Sequence, residues 1–253
     1  MKSVLIAADP ATTKFATLAL RLRWPDIEPV AAPTVAECIA KTDKQSTDLV
    51  LLQPQSQDRE LTEAIEEVRQ FTAAPLLVLG RQDDQVEVVM ALSSDADGYI
   101  KLPCNLTELT MRIWAVMRRT GMTMNHQNEA PLRTGQLLLN LATHEALLGT
   151  QPIHLTATEF RLLHVLIRNS GSVVSHSNLE STLWGEDTDG HGLAKKYVQR
   201  LRRKLGDNAK TPCWIACIHG FGYRFIGPAP IICDTSVNLT DETITKLLAG
   251  VPV

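Results

Sequence analysis

Between Lys195 and Lys204 six of ten residues are basic: Lys195, Lys196, Arg200, Arg202, Arg203 and Lys204. Cations at that density on a helix neutralise phosphates, and arginine or lysine ends can read guanine edges in a DNA major groove. Ala194, Val198, Leu201 and Leu205 recur at helical spacing and form the stripe that packs inward. The outward face is then expected to carry Lys196, Tyr197, Arg200, Arg203 and Lys204 together. Almost no acid is interleaved to form i,i+4 pairs, which argues against an ordinary solvated helix.

Positioning such a helix takes a folded domain, and length and charge bound it. The chain has 253 residues, enough for about two domains. The formal net charge is -3, but it is unevenly spread. Residues 1–120 carry 13 basic and 17 acidic side chains, whereas residues 131–227 carry 11 basic and 7 acidic. An acidic half joined to a basic half suits a nucleic-acid partner for the second. No apolar run reaches the roughly 18 residues of a membrane span. The apolar start, Val4–Ala8, is too short for a secretory signal and stops at Asp9-Pro10, so a cytoplasmic protein is expected. The five cysteines are scattered and are expected as free thiols. Cys213 and Cys217 lack partners at zinc-finger spacing, so no metal is expected. The histidines at 126, 144, 154, 164 and 176 are read as surface or linker residues, and Trp184 as core.

In residues 1–120, apolar runs at Val4–Ala7, Leu49–Leu52, Leu76–Leu79 and Tyr99–Ile100 alternate with helical patterns near 12–22, 34–43, 59–71, 84–93 and 105–119. A weaker run, Ile27–Ala31, is interrupted by Pro29. Runs apolar on consecutive positions are strands covered on both faces. The alternation predicts an α/β domain with a five-stranded parallel sheet, whose chemistry would sit at the strand C-terminal ends. Neither a Gly-rich phosphate loop nor a Gly-x-Ser-x-Gly elbow is present, so no enzyme and no cofactor are expected. The order of elements resembles the flavodoxin-like receiver domain of bacterial response regulators over about 118 residues. The resemblance implies two acids after strand one, a phosphorylated Asp after strand three, Ser or Thr after strand four and Lys before the Pro after strand five. The matching positions are Ala7, Ala8, Gln53, Gly80 and Leu102. An amide cannot replace the carboxylate nucleophile, and two alanines offer Mg²⁺ no oxygen. The expectation is a phosphorylation-incompetent receiver. Asp9 and Lys101 lie one residue from the lost positions. A strand slip would turn them to the other face, leaving Asp9 as a helix N-terminal or turn acid.

Residues 121–131 read as a linker ending at Pro131. Strand signals follow at Gln136–Asn140, Glu145–Leu148 and Ile153–Leu155. Thr156 and Glu159 form a capping box opening a helix that Gly171 stops. A short helix near Ser177–Leu183 precedes the basic helix. Trp214–Ile218 and Tyr223–Ile226 flank His219–Gly222, a hairpin pattern. The segments Leu155–Leu163, Leu183–Gly185, Val198–Leu205 and Gly220–Phe225 closely resemble the winged helix-turn-helix domain of OmpR/PhoB-type response regulators. The resemblance implies that the basic helix enters the major groove, that the wing adds a minor-groove or phosphate contact, with His219 and Tyr223 as its contact residues, and that the loop before the helix can meet RNA polymerase. The family often has Arg where this chain has His219, which carries less charge near neutral pH. His191-Gly192-Leu193 also departs from the polar residues usual at the start of that helix.

The boundaries expected are 1–120 for the pseudo-receiver, 121–131 for the linker, 132–227 for the winged helix and 228–253 for an extension. Within the extension, Asn238–Leu248 has the pattern of a capped amphipathic helix. Val88, Met90 and Trp114 stand where relatives tend to carry charge. With Asp97, Arg112 and Arg118 they form the expected homodimer face. The expected function is a DNA-binding transcription regulator that acts without aspartyl phosphorylation. Two alternatives remain at this stage: a protein-interaction regulator with weak DNA binding, or a receiver pocket that senses a small ligand.

Overall fold

The computed structural model describes residues 3–42, 47–53, 60–81, 85–120, 130–185 and 192–232. These fall into two compact units, one ending at Thr120 and the other starting at Ala130. Most of the expected linker, and the expected helix Asn238–Leu248, lie outside the described residues. Among the described residues no helix is long and apolar enough to cross a membrane.

The first unit alternates β1 (Ser3–Ala7), α1 (Pro10–Arg23), β2 (Glu28–Ala31), α2 (Val35–Lys41), β3 (Leu49–Leu52), α3 (Leu61–Phe71), β4 (Leu76–Arg81), α4 (Gln85–Ser93), β5 (Gly98–Leu102) and α5 (Leu106–Arg119). All pairings are parallel and the strand order is β2-β1-β3-β4-β5. β1 and β3 are apolar on consecutive positions because the sheet is covered twice. On one face Val4, Ile6, Leu49, Leu51, Leu77 and Leu79 pack with residues of α1 and α5. On the other, Leu5, Val50, Leu52 and Val78 pack with Cys38, Ile65, Val68 and Ala91 from α2, α3 and α4. Pro29 is accommodated because β2 is an edge strand.

The second unit starts with an antiparallel sheet of β6 (Leu132–Thr134), β7 (Leu137–Asn140), β8 (Glu145–Leu148) and β9 (Gln151–Ile153). The last of these lies two residues earlier than the expected Ile153–Leu155, because Leu155 is a buried residue leading into the next helix. Three helices follow: α6 (Ala157–Arg168), α7 (His176–Trp184) and α8 (Leu193–Leu205). The capping box forms as expected: Thr156 Oγ1 accepts from the Glu159 N–H and Glu159 Oε2 from the Thr156 N–H. The hairpin β11 (Ile215–Ile218) and β12 (Gly222–Phe225) gains a third strand, β10 (Val173–Ser175), that sequence reasoning did not anticipate. Two more strands were not anticipated, β6 and β13 (Ile231–Ile232); they pair antiparallel with each other, so residues just past the wing extend the first sheet of this unit. Thr134 Oγ1 donates to the Pro228 carbonyl and ties down the same crossing.

Candidate nucleic-acid interface

α8 packs on α6 and α7. Its buried positions are Leu193, Ala194, Tyr197, Val198, Leu201, Arg202 and Leu205. Its start needs no side-chain cap. Gly192 takes the left-handed conformation (φ 89°) that glycine tolerates, and its N–H donates to Glu180 Oε1 of α7 at 3.0 Å. This accounts for the unusual glycine there.

On the opposite side Lys195, Lys196, Gln199 and Arg203 are exposed. Lys196 and Arg203 stand two turns apart, about 10.5 Å along the axis. Lys204 is engaged: its Nζ pairs with Glu159 Oε2, the buried carboxylate of the α6 capping box. Arg200 is half-buried, its guanidinium 5.4 Å from the centroid of the Tyr197 ring. His219 is exposed on the hairpin turn.

Three expected contact residues belong to the core instead. Tyr197 is 0 % exposed and meets Trp184 edge-on at 5.0 Å between ring centroids. It sits three residues from Ala194 and four from Leu201, inside the apolar stripe rather than beside it. Arg202 is 8 % exposed; its Nη2 donates to the Ile215 carbonyl at 2.7 Å, and its Nε faces Asp207 Oδ2 at 3.7 Å. Asp207 in turn accepts from the Cys213, Trp214 and Ile215 N–H groups. This arginine therefore fixes the loop joining the helix to the wing. Tyr223 is buried in the central strand of the three-stranded sheet, edge-on to His176, and burial, the largest cause, pushes its hydroxyl pKa up. Gln199, exposed among the cations, was passed over because only charge was sought. An amide at that place suits the N6/N7 edge of adenine. Trp184 is core, as expected. Residues 186–191, where the resemblance leads one to expect contact with RNA polymerase, lie outside the described residues.

In the first unit, Ala7 and Ala8 are buried at the end of β1. Gln53 is buried after β3; its N–H donates to the Ala7 carbonyl at 2.7 Å and its Oε1 accepts from the Asp9 N–H at 3.1 Å. Asp9 is the N-cap of α1, accepting from the Ala11 and Thr12 N–H groups at 2.8 and 2.9 Å. The strand-slip argument does not apply to it, because it lies beyond the end of β1. Among the described residues, the Asp9 carboxylate therefore remains close to Gln53. Hydrogen bonding from the Thr12 N–H, against an opposing effect of burial, lowers the Asp9 pKa, helped by the Thr12 hydroxyl and Gln53. A depressed acid stabilises the fold above its ordinary pKa and loses that contribution as pH falls through the folded value. Asp9→Ala is accordingly expected to cost about 1 kcal/mol near neutral pH. The gap from the unaltered chain should shrink in denaturant melts run below about pH 3. A Cβ placed on Gly80 would overlap the Tyr99 ring, so Tyr99 fills the space beside the end of β4. Leu102 is half-buried against the α1–α5 side of the core, and Lys101 is exposed.

The expected dimer face is partly redrawn. Asp97 is buried: its Oδ2 pairs with Arg69 Nη2 and accepts from the Leu76 N–H at 2.9 Å, so it is not a surface group. Arg112 pairs with Glu108 on its own helix, and the Arg118 guanidinium lies 4.7 Å from the centroid of the Trp114 ring. Val88 is half-buried, while Val86, Val89 and Met90 are the exposed apolar residues of α4.

Residues 150–225 match the family model described as "Transcriptional regulatory protein, C terminal". Over 230 residues the chain is 32 % identical to the transcriptional regulatory protein TrcR of Mycobacterium tuberculosis, covering 90 % of this chain and 88 % of that protein. The chain belongs to the OmpR/PhoB family of response regulators. The regulator is also 29 % identical over 228 residues to the KDP operon transcriptional regulatory protein KdpE of Escherichia coli, covering 89 % of this chain and 100 % of that one. A solved RitR mutant shares the fold at a TM-score of 0.66 and 21 % identity, covering 88 % of this chain and 98 % of that chain. A receiver sheet followed by a winged-helix domain is thus the architecture of this response regulator.

Proposed function

We propose that this response regulator recognises specific double-stranded DNA sites through Lys195, Lys196, Gln199 and Arg203 of α8, with Arg200 and the wing's His219 beside them. The observation that carries the reading is the exposed row of Lys195, Lys196 and Arg203 around Gln199, on the face opposite the buried stripe of the same helix. Cations set the register on phosphates, and Gln199 and Arg203 offer the groups that read base edges. Selection of bound genomic fragments by the purified protein tests it. Recovered fragments should share a motif and bind at least about a thousandfold more tightly than random DNA at physiological salt. Equal binding to random and recovered DNA would refute the reading.

Regulation is proposed not to pass through aspartyl phosphorylation. An amide stands after β3, two alanines end β1, Leu102 replaces the phosphate-holding lysine, and Tyr99 fills the space beside Gly80. Asp9 is one carboxylate, committed to capping α1, where Mg²⁺ prefers several hard oxygens. We further propose that the regulator dimerises through the receiver, using the apolar Val86, Val89 and Met90 face of α4, with the half-buried Trp114 and the exposed Arg118 of α5 as further members of the interface. Light scattering at micromolar concentration should give the mass of two chains for the unaltered protein and of one chain for Met90→Glu. A single-chain mass for both would remove the dimer.

A further inference from the structure

The first sheet of the winged-helix unit ends on an apolar edge. β13 is the edge strand of the order β13-β6-β7-β8-β9, and its two residues, Ile231 and Ile232, are 65 % and 73 % exposed. Ile232 is the most exposed of the described large hydrophobic residues. It stands opposite Leu132 of β6, so the two side chains share a face of the sheet, and Leu132 is buried on that face. Beside them runs a groove of about 350 Å³. Leu132, Leu141, Ile167, Pro230 and Ile232 form its apolar walls, and the exposed Arg168, in the last turn of α6, lines it too. An apolar groove of this kind accepts the apolar face of an amphipathic helix.

We propose that this groove seats the segment of the chain that follows it, with Ile244, Leu247 and Leu248 of the expected helix Asn238–Leu248 laid against its walls. Three observations identify the occupant. Ile232 is both a wall of the groove and the last described residue, so the chain passes into residues 233–253 from the groove itself. Ile244, Leu247 and Leu248 have the i, i+3, i+4 spacing by which one helix face fills an apolar groove. Residues 233–253 carry three acids, Asp234, Asp241 and Glu242, against one cation, Lys246, and so complement Arg168. Tethering favours this segment over the same segment of a second copy. A short tether gives an effective concentration of about a millimolar, far above that of another chain in a micromolar solution. Extended, residues 233–238 span up to about 20 Å, enough to turn the chain back onto the groove. The docked helix enlarges the core of the winged-helix unit and keeps the edge at β13 from pairing with a foreign strand. This inference does not depend on how α8 meets DNA.

Hydrogen exchange followed by mass spectrometry on the full chain tests it. In the parent, amides of residues 242–248, of β6 and of the last turn of α6 should be protected, and equally so after a roughly hundredfold dilution. Leu247→Asp combined with Leu248→Asp should speed exchange in β6 and the last turn of α6 at least about tenfold. The same variant should lower the melting temperature of the winged-helix unit by about 4–8 °C. Ala249→Asp, on the other side of the expected helix, should change neither quantity. Both leucines lie outside the sheet and helices of the unit, so the double variant tests the docking without removing a core residue of the fold. Equal exchange in β6 and α6 for the parent and the double variant would overturn the proposal and leave the groove to a small ligand or a partner protein. Protection that fades on dilution would also overturn it, by placing the segment of a second copy in the groove.

Discussion

Replacing Lys195, Lys196 and Arg203 together with alanine is expected to weaken binding to a recovered DNA site by at least about a hundredfold near 0.1 M salt. It should also flatten the plot of log K against log[salt] by about 2.7, since each neutralised phosphate contributes about 0.9. The three side chains are exposed and none is needed to hold α8 in place, so the melting temperature should not fall with the affinity. Fluorescence anisotropy across a salt series, beside a thermal melt, separates the two quantities. Lys204→Ala is the informative contrast. Its Nζ neutralises the buried Glu159 carboxylate, so its removal should lower stability while changing the salt slope little. If the triple variant retained the parent slope, the phosphate-contacting face would have to be sought elsewhere.

The second large effect falls on a residue that looks like a DNA contact and is not. Tyr197→Ala is expected to destabilise the winged-helix unit by about 3–5 kcal/mol, the usual cost of truncating a fully buried aromatic side chain. The ring packs edge-on against Trp184 and supports Arg200 from below, so its loss leaves a void between α7 and α8. Tyr197→Phe keeps the ring and should fold with most of the parent stability. Denaturant melts followed by tryptophan emission would report both. An alanine variant as stable as the parent would mean that the ring lies on the surface after all.

These two cases show what spacing along the chain conveys. Strands β1, β3 and β4 were legible because runs such as Val4–Ala7 and Leu49–Leu52 leave no polar face for water. The helices of the second unit were legible from the capping box at Thr156 and the glycine stops. On α8 the inward stripe was read too narrowly. A core-facing helix buries positions at both three and four residues, which takes in Tyr197 and Arg202 along with Ala194, Val198 and Leu201. Charge put Arg202 among the cations expected to meet phosphate, and the tertiary partners Asp207 and Ile215, brought near by the loop, are what offset its burial. Asp97 was misplaced for the same reason: Arg69, 28 residues earlier, neutralises it within the fold. The strands β10 and β13 are too short to leave a pattern; Ile231-Ile232 becomes a strand only because β6 offers it an edge. At the receiver's strand ends the losses at Gln53 and Leu102 were visible in the sequence, whereas the filling of the space beside Gly80 by Tyr99 required the sheet.

The most direct measurement is the affinity of the untreated protein for a recovered DNA site, repeated after incubation with acetyl phosphate and Mg²⁺, with intact mass taken on the same samples. The expected result is tight, site-specific binding before treatment, the same dissociation constant afterwards, and no phosphoryl adduct in the mass spectrum. A phosphorylated species together with a tenfold or greater gain in affinity would contradict the account, because it would mean that a carboxylate such as Asp9 serves the chemistry that Gln53 cannot.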